Sequence, residues 1–175
     1  MGMAEAPFPN IYPEPDPAAP SPSLFVATLF EDQTTADCAQ RLMCRILEMA
    51  DQASPVQDYA WGLQVFDQPD GMAAAARRAA AADVLVVAAY RDSPALHRIV
   101  EWLQRWLSPL REKRGALVAV IIEQGEAGHT VSRNEELLAP IAREIDMDFF
   151  STRVSPSAEF PRGTIPHPSS HDDPG

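Results

Sequence analysis

The chain has 175 residues, enough for one domain with tails and too few for two full domains. It carries 25 acids against 14 bases, a formal net charge of −11. Such a surface repels phosphate backbones and argues against sequence-independent nucleic-acid binding. Proline is about twice as frequent as usual, but 12 of the 17 prolines fall in 1–22 and 155–175, leaving five for the interior.

This distribution sets the expected organisation: a Pro-rich extended tail over 1–22, an α/β domain over 23–154 and a second Pro-rich tail over 155–175. The tails hold few large apolar groups, namely Phe8, Ile11 and Tyr12 in the first and Phe160 and Ile165 in the second. Little apolar burial offsets the entropy of ordering them, so both are expected to be mobile and dispensable for folding. The first 22 residues lack the basic and apolar regions of a signal peptide. No apolar run reaches the about 18 residues needed for a membrane helix. A cytoplasmic protein without a membrane partner is expected. Cys38 and Cys44 are the only cysteines. At six residues apart in a helix they are separated by about 9 Å of rise, too far to bridge, and free buried thiols are expected.

Ser23–Phe30 is a short apolar run that suits a strand buried on both faces. Thr34 or Thr35 can cap a helix running from about Ala36 to Gln52, with Leu42, Met43, Ile46 and Leu47 on its apolar side. The second strand is placed at Tyr59–Phe66. An alanine-rich helix, capped by Asp70, follows as far as Ala82. Val84–Tyr90 is the clearest strand. Asp92 or Ser93 can cap a third helix, with Pro94 in its first turn and Leu96, Ile99, Val100, Leu103 and Leu107 facing inward. Gly115–Ile122 is the fourth strand. Ser132-x-x-Glu135 spells a capping box for a fourth helix, which Pro140 should kink or break. Asp148–Thr152 makes a fifth strand.

Strands alternating with helices specify a three-layer α/β fold: a five-stranded parallel sheet with helices on both faces. The order 2-1-3-4-5 is expected, with 3-2-1-4-5 as the alternative. The predicted core includes Phe25, Val26, Leu42, Ile46, Val65, Val84, Val86, Val87, Ile99, Leu103, Val118, Val120, Ile121 and Ile141. No helix follows the fifth strand before the Pro-rich tail. One sheet face should therefore be partly bare near strands one and five, open to a tail or to a second protomer.

Ligands of open α/β sheets sit at the carboxyl ends of the strands. The first such turn, Phe30-Glu31-Asp32-Gln33-Thr34-Thr35, has no glycine and two adjacent acids, which is hostile to phosphate. Glu31, Asp32 and Asp67 are candidates for an oxygen-lined metal site, although acids also gather at helix starts for electrostatic reasons. Arg91, Asp92, Glu123, His129 and Arg153 lie at other strand ends. No nucleophile with a matching base is evident among the two helical cysteines and four scattered histidines. On the third helix Trp102 and Trp106 are four apart, with Leu110 beyond them and Arg105, Arg111, Lys113 and Arg114 alongside. They are candidates for a partner-binding surface, to be met by an acidic partner or a second copy of the chain.

The stretch Ala82-Asp83-Val84-Leu85-Val86-Val87-Ala88-Ala89-Tyr90, followed by Ser93-Pro94-Ala95-Leu96, resembles flavodoxin-like proteins and in particular FMN-dependent reductases. The resemblance implies a flavodoxin-like fold. For a flavin- or nicotinamide-dependent oxidoreductase it offers Thr34, Thr35 and Tyr90 as cofactor contacts. The layout is also similar to a response-regulator receiver domain, with Glu31 and Asp32 where receivers keep their paired acids. Ala88 stands where the phosphoacceptor aspartate would be, and the single lysine of the chain, Lys113, is not where receivers place theirs. The expected function is therefore a non-catalytic flavodoxin-like or receiver-like domain that holds no cofactor and works through a protein partner or homo-oligomer. The alternative is an atypical oxidoreductase or small-molecule binder.

Overall fold

The computed structural model describes residues 24–49, 55–125 and 130–157. The elements run β1 (Leu24–Phe30), α1 (Gln33–Met49), β2 (Val56–Gly62), α2 (Pro69–Ala80), β3 (Val84–Tyr90), α3 (Leu96–Trp102), β4 (Gly115–Ile122), α4 (Arg133–Glu144) and β5 (Met147–Val154). All strand pairs are parallel, as the alternation of elements predicts, and the order is β2-β1-β3-β4-β5, the first of the two expected.

That order divides the helices unequally. With right-handed crossovers, the step from β1 to β2 moves one way along the sheet, and the next three steps move the other way. Accordingly α1 lies alone on one face, where Cys38 and Ala39 pack on Val26, Val86, Ala88, Val120 and Ile122. The other three helices share the opposite face, over Ala27, Leu29, Leu85, Val87, Leu117 and Ile121. The two sets alternate along each strand, as the pleat requires. Ala75, Ala76 and Ala79 have no side chain beyond Cβ, so α2 can lie close to its neighbours.

Several boundaries differ from the sequence reading. β2 starts at Val56 and stops at Gly62, because Leu63–Asp67 coils into a 3₁₀ turn. Leu63 and Phe66 are buried three residues apart, the period of that turn rather than of a strand. Asp70 lies in the first turn of α2, but Gln68 occupies the cap position and makes no side-chain cap. Neither Asp92 nor Ser93 occupies the cap position of α3, which is held by Ala95. α3 widens into a π turn at Leu103–Leu107 and ends in a 3₁₀ turn at Ser108–Leu110. α4 runs through Pro140 unbroken. Pro140 and Glu136, whose carbonyl loses its helical donor there, are both exposed, so water can satisfy that oxygen. β5 extends to Val154.

Burial expectations also change: Phe25, Leu42, Val65, Val84 and Val118 are half-buried against the core instead of buried within it. Ile46 is 43% exposed instead of buried. Cys38 is buried but Cys44 is exposed, and both are free thiols. The tail residues Phe8, Ile11, Tyr12, Phe160 and Ile165 lie outside the described residues. Among the described residues, no helix is long and apolar enough to cross a membrane.

Candidate functional site

The carboxyl ends of β1, β3, β4 and β5 converge at one rim of the sheet, and the chain's own side chains fill it. At the first turn Asp32 and Thr35 cap α1 reciprocally. Asp32 Oδ1 accepts the Thr35 amide at 2.9 Å. Thr35 Oγ1 accepts the amides of Glu31 at 2.9 Å and Asp32 at 3.0 Å, and donates to the Asp32 carbonyl at 2.9 Å. Thr35 is fully buried and its hydroxyl is saturated. These two amides, which a phosphate would need, are thereby used within the turn.

Glu31 points across to β3. Its carboxylate accepts Ser93 Oγ at 2.8 Å and the Tyr90 amide at 3.1 Å. The Tyr90 phenol donates to Asp32 Oδ2 at 2.8 Å. That carboxylate acceptor holds the phenol in its neutral form, with the pKa pushed above its ordinary value. Beyond Tyr90 the backbone turns through a left-handed conformation at Asp92 (φ 55°). The buried Asn134 of α4 holds this turn, its Oδ1 accepting the Asp92 amide at 2.7 Å and its Nδ2 donating to the Tyr90 carbonyl at 3.1 Å. Asp92 Oδ1 in return accepts the Arg133 amide at 2.8 Å.

The rest of the rim is an ion-pair chain. Arg91 donates to the buried Glu123 carboxylate at 2.9 Å and to Thr130 Oγ1 at 2.7 Å. Arg153 lies 3.7 Å from Glu123 and donates to Glu135 Oε2 at 3.0 Å. Glu135 completes the capping box of α4 by accepting the Ser132 amide, and also accepts Ser151 Oγ. The Ser132 amide first, then Ser151 and Arg153, hold Glu135 at a pKa of about 2, against the burial that opposes them. The cavity left among Tyr90, Arg91, Asp92, Ile122, Glu123 and Gln124 has a volume of about 210 Å³. That is below the roughly 300 Å³ at which small-molecule pockets begin, whereas the cleft lined by Thr34, Asp37, Gln40, Arg41 and Pro156, about 440 Å³, is above it.

The other candidates separate from this rim. Asp67 pairs with Arg98 at 2.9 Å. Among the described residues no three acid, histidine or cysteine side chains gather as a metal-binding group, so Glu31, Asp32 and Asp67 do not converge. Thr34 is exposed on the first turn of α1, and His129 lies outside the described residues. Asp83 works at the amino ends of the strands, where it accepts the Phe25 amide at 2.9 Å and Lys113 Nζ at 2.8 Å.

The aromatic stripe on α3 is divided. Trp102 is 1% exposed, packs on Phe66 and donates its indole N–H to the Met72 carbonyl at 3.1 Å. It belongs to the core and presents no surface. Arg111 reaches under the end of α2 to the carbonyls of Ala79 and Ala82, with a third bond to the Lys113 carbonyl. It thus satisfies α2's terminal acceptors. Trp106 is half-buried and Arg105 is exposed, pairing with Glu101 at 3.2 Å.

Sequence reasoning placed Arg91, Asp92, Glu123 and Arg153 at the rim but missed Asn134 and the role of Ser93 in orienting Glu31. The capping box marked where α4 begins. Nothing local marked its second residue as the strut of a turn 42 positions earlier.

Five parallel strands in the order 2-1-3-4-5, with helices on both faces, make the fold flavodoxin-like. No protein-family model matches the chain, and no curated protein matches it.

Proposed function

We propose that this chain is a non-catalytic domain of flavodoxin-like shape and receiver-like layout that acts through protein contacts. The observation that carries this reading is the closed rim. Thr35 takes the Glu31 and Asp32 amides, the Glu31 carboxylate takes the Ser93 hydroxyl, and Asn134 takes the Asp92 amide and Tyr90 carbonyl, at the place where a flavin phosphate or a phosphoryl group would be held. Catalysis there would need free donors aimed at developing charge, and binding a dianion would break several bonds beside two carboxylates. Ala88 puts a buried methyl where a receiver keeps its acceptor carboxylate. The single lysine is tied to Asp83 at the other end of the sheet.

The surface retained for a partner is the end of the α3 segment. Trp106 is half-buried, Leu110 is 43% exposed, and Arg105 stands beside them on an otherwise acidic protein. An aromatic anchor with a charged rim suits an acidic protein surface or a second copy. Sedimentation velocity at moderate salt tests this with the wild type and a Trp106→Glu, Arg105→Glu variant. The expected result is an assembly of the wild type, alone or with a purified partner, that the variant loses. A wild type that remains monomeric and a variant that still captures the same partner would overturn it.

A further inference from the structure

We infer that the hollow between α1 and the edge strand β2 is a binding site for an organic cation, an ammonium group carried on an apolar body. The hollow has a volume of about 420 Å³, within the roughly 300–1,000 Å³ of small-molecule sites. Its origin lies in the packing of α1. The apolar cluster beneath that helix draws on β1, β3, β4 and β5 and on no residue of β2. β2 is the edge of the sheet, and Ala60, which faces the gap, is too small to fill it. Val26, Met43, Leu47 and Val56 supply apolar walls.

The polar groups of the hollow lack partners. The strand register puts Asp58 opposite Val26, so its side chain shares the face on which α1 lies. The Asp58 carboxylate makes no hydrogen bond or ion pair among the described residues. Burial, with no donor to oppose it, pushes its pKa above the ordinary carboxylate value. Thr28, two positions beyond Val26 on β1, is 7% exposed, and its hydroxyl likewise makes no hydrogen bond among the described residues. Asp37 adds a second carboxylate from α1, which accepts Gln33 Nε2 at 2.8 Å. Among the described residues no lysine, arginine or histidine lines the hollow. Positive charge is therefore what the site lacks. An ammonium group brings three N–H donors and no acceptor, which suits the Asp58 carboxylate and the Thr28 hydroxyl, while the body attached to it covers the walls. A bare metal ion matches less well, because it needs oxygen ligands on several sides and no three acid, histidine or cysteine side chains gather among the described residues. The hollow lies on the face of the sheet opposite Trp106, so it stands independently of the protein-contact reading.

The experiment titrates the full chain with hexylamine, hexanol and hexanoate, three probes with one apolar body and different head groups, and follows methyl resonances by NMR. Hexylamine should shift the Val26 and Leu47 methyls saturably and bind at least about fivefold tighter than hexanol, the gain expected of a charge-assisted bond. Hexanoate should bind most weakly. In Asp58→Asn, which removes a carboxylate without a partner and so leaves the fold intact, hexylamine should fall to the affinity of hexanol while hexanol is unchanged. Ala60→Phe, which fills the hollow and keeps both carboxylates, should abolish the binding of both. Hexylamine binding no tighter than hexanol, or an amine preference that survives Asp58→Asn, would overturn the inference. So would the absence of saturable shifts at these methyls with millimolar hexylamine.

Discussion

Asn134 shows how much of the rim depends on one amide group. Replacing it by alanine leaves the Asp92 amide without its partner, at a left-handed turn, and the Tyr90 carbonyl with the Ser93 amide alone. Unsatisfied buried polar groups cost about 1–3 kcal/mol each. Asn134→Ala should therefore lower stability by about 1–2 kcal/mol. Tyr90→Phe, which removes a solvent-facing phenol bond, should cost less than about 1 kcal/mol. Urea unfolding of both variants checks the contrast. Glu135 makes part of the fold's stability acid-sensitive. Its folded pKa of about 2 lies below the ordinary 4.5. The stabilisation from its ionised form is complete above 4.5 and is lost as pH falls from 4.5 through 2. Glu135→Gln should be less stable than wild type at pH 7. It should also lose part of the fall in denaturation midpoint between pH 5 and about pH 3. An unchanged slope would show that Glu135 does not carry that acid sensitivity.

At the scale of elements, the third helix separates two tryptophans that look equivalent in sequence. Four-residue spacing places both on one stripe of a regular α-helix, but the π turn at Leu103–Leu107 changes the rotation per residue between them. Trp102 enters the core against Phe66 while Trp106 stays half-buried. Trp102→Ala should cost about 3–5 kcal/mol, the range for large aromatic truncations in a core. Trp106→Ala should cost clearly less, as thermal unfolding of the pair would reveal. Periodicity could not anticipate the division, since nothing in Leu-Gln-Arg-Trp-Leu distinguishes a π turn from an α one. Arg111 was obscure for a similar reason. As part of a basic cluster after a helix it reads as surface charge, yet its guanidinium serves the carbonyls of a helix about 30 positions earlier. The capping box of Ser132 and Glu135, by contrast, was legible because all its parts lie within four residues.

For the molecule as a whole, the alternation of apolar runs and helical periods was enough to specify a five-stranded parallel sheet with helices on both faces, and left two strand orders open. Crossover handedness narrows the orders to a few, of which 2-1-3-4-5 is the one the structure adopts. The rim was only half legible. Its acids and arginines could be placed at strand ends, but whether they face a ligand or one another depends on pairings across 30 to 60 positions, as in Arg91 with Glu123 and Ser93 with Glu31. On the proposed reading, these pairings close the rim to phosphate-bearing cofactors. Fluorescence titration of the full chain with FMN and with NADPH tests it most directly. No saturable change is expected with either, because the first-turn amides are taken by Thr35 and two carboxylates oppose a dianion. Saturable binding of either cofactor in the micromolar range, abolished by substitution of Thr34 or Tyr90, would contradict it and make the chain an atypical oxidoreductase.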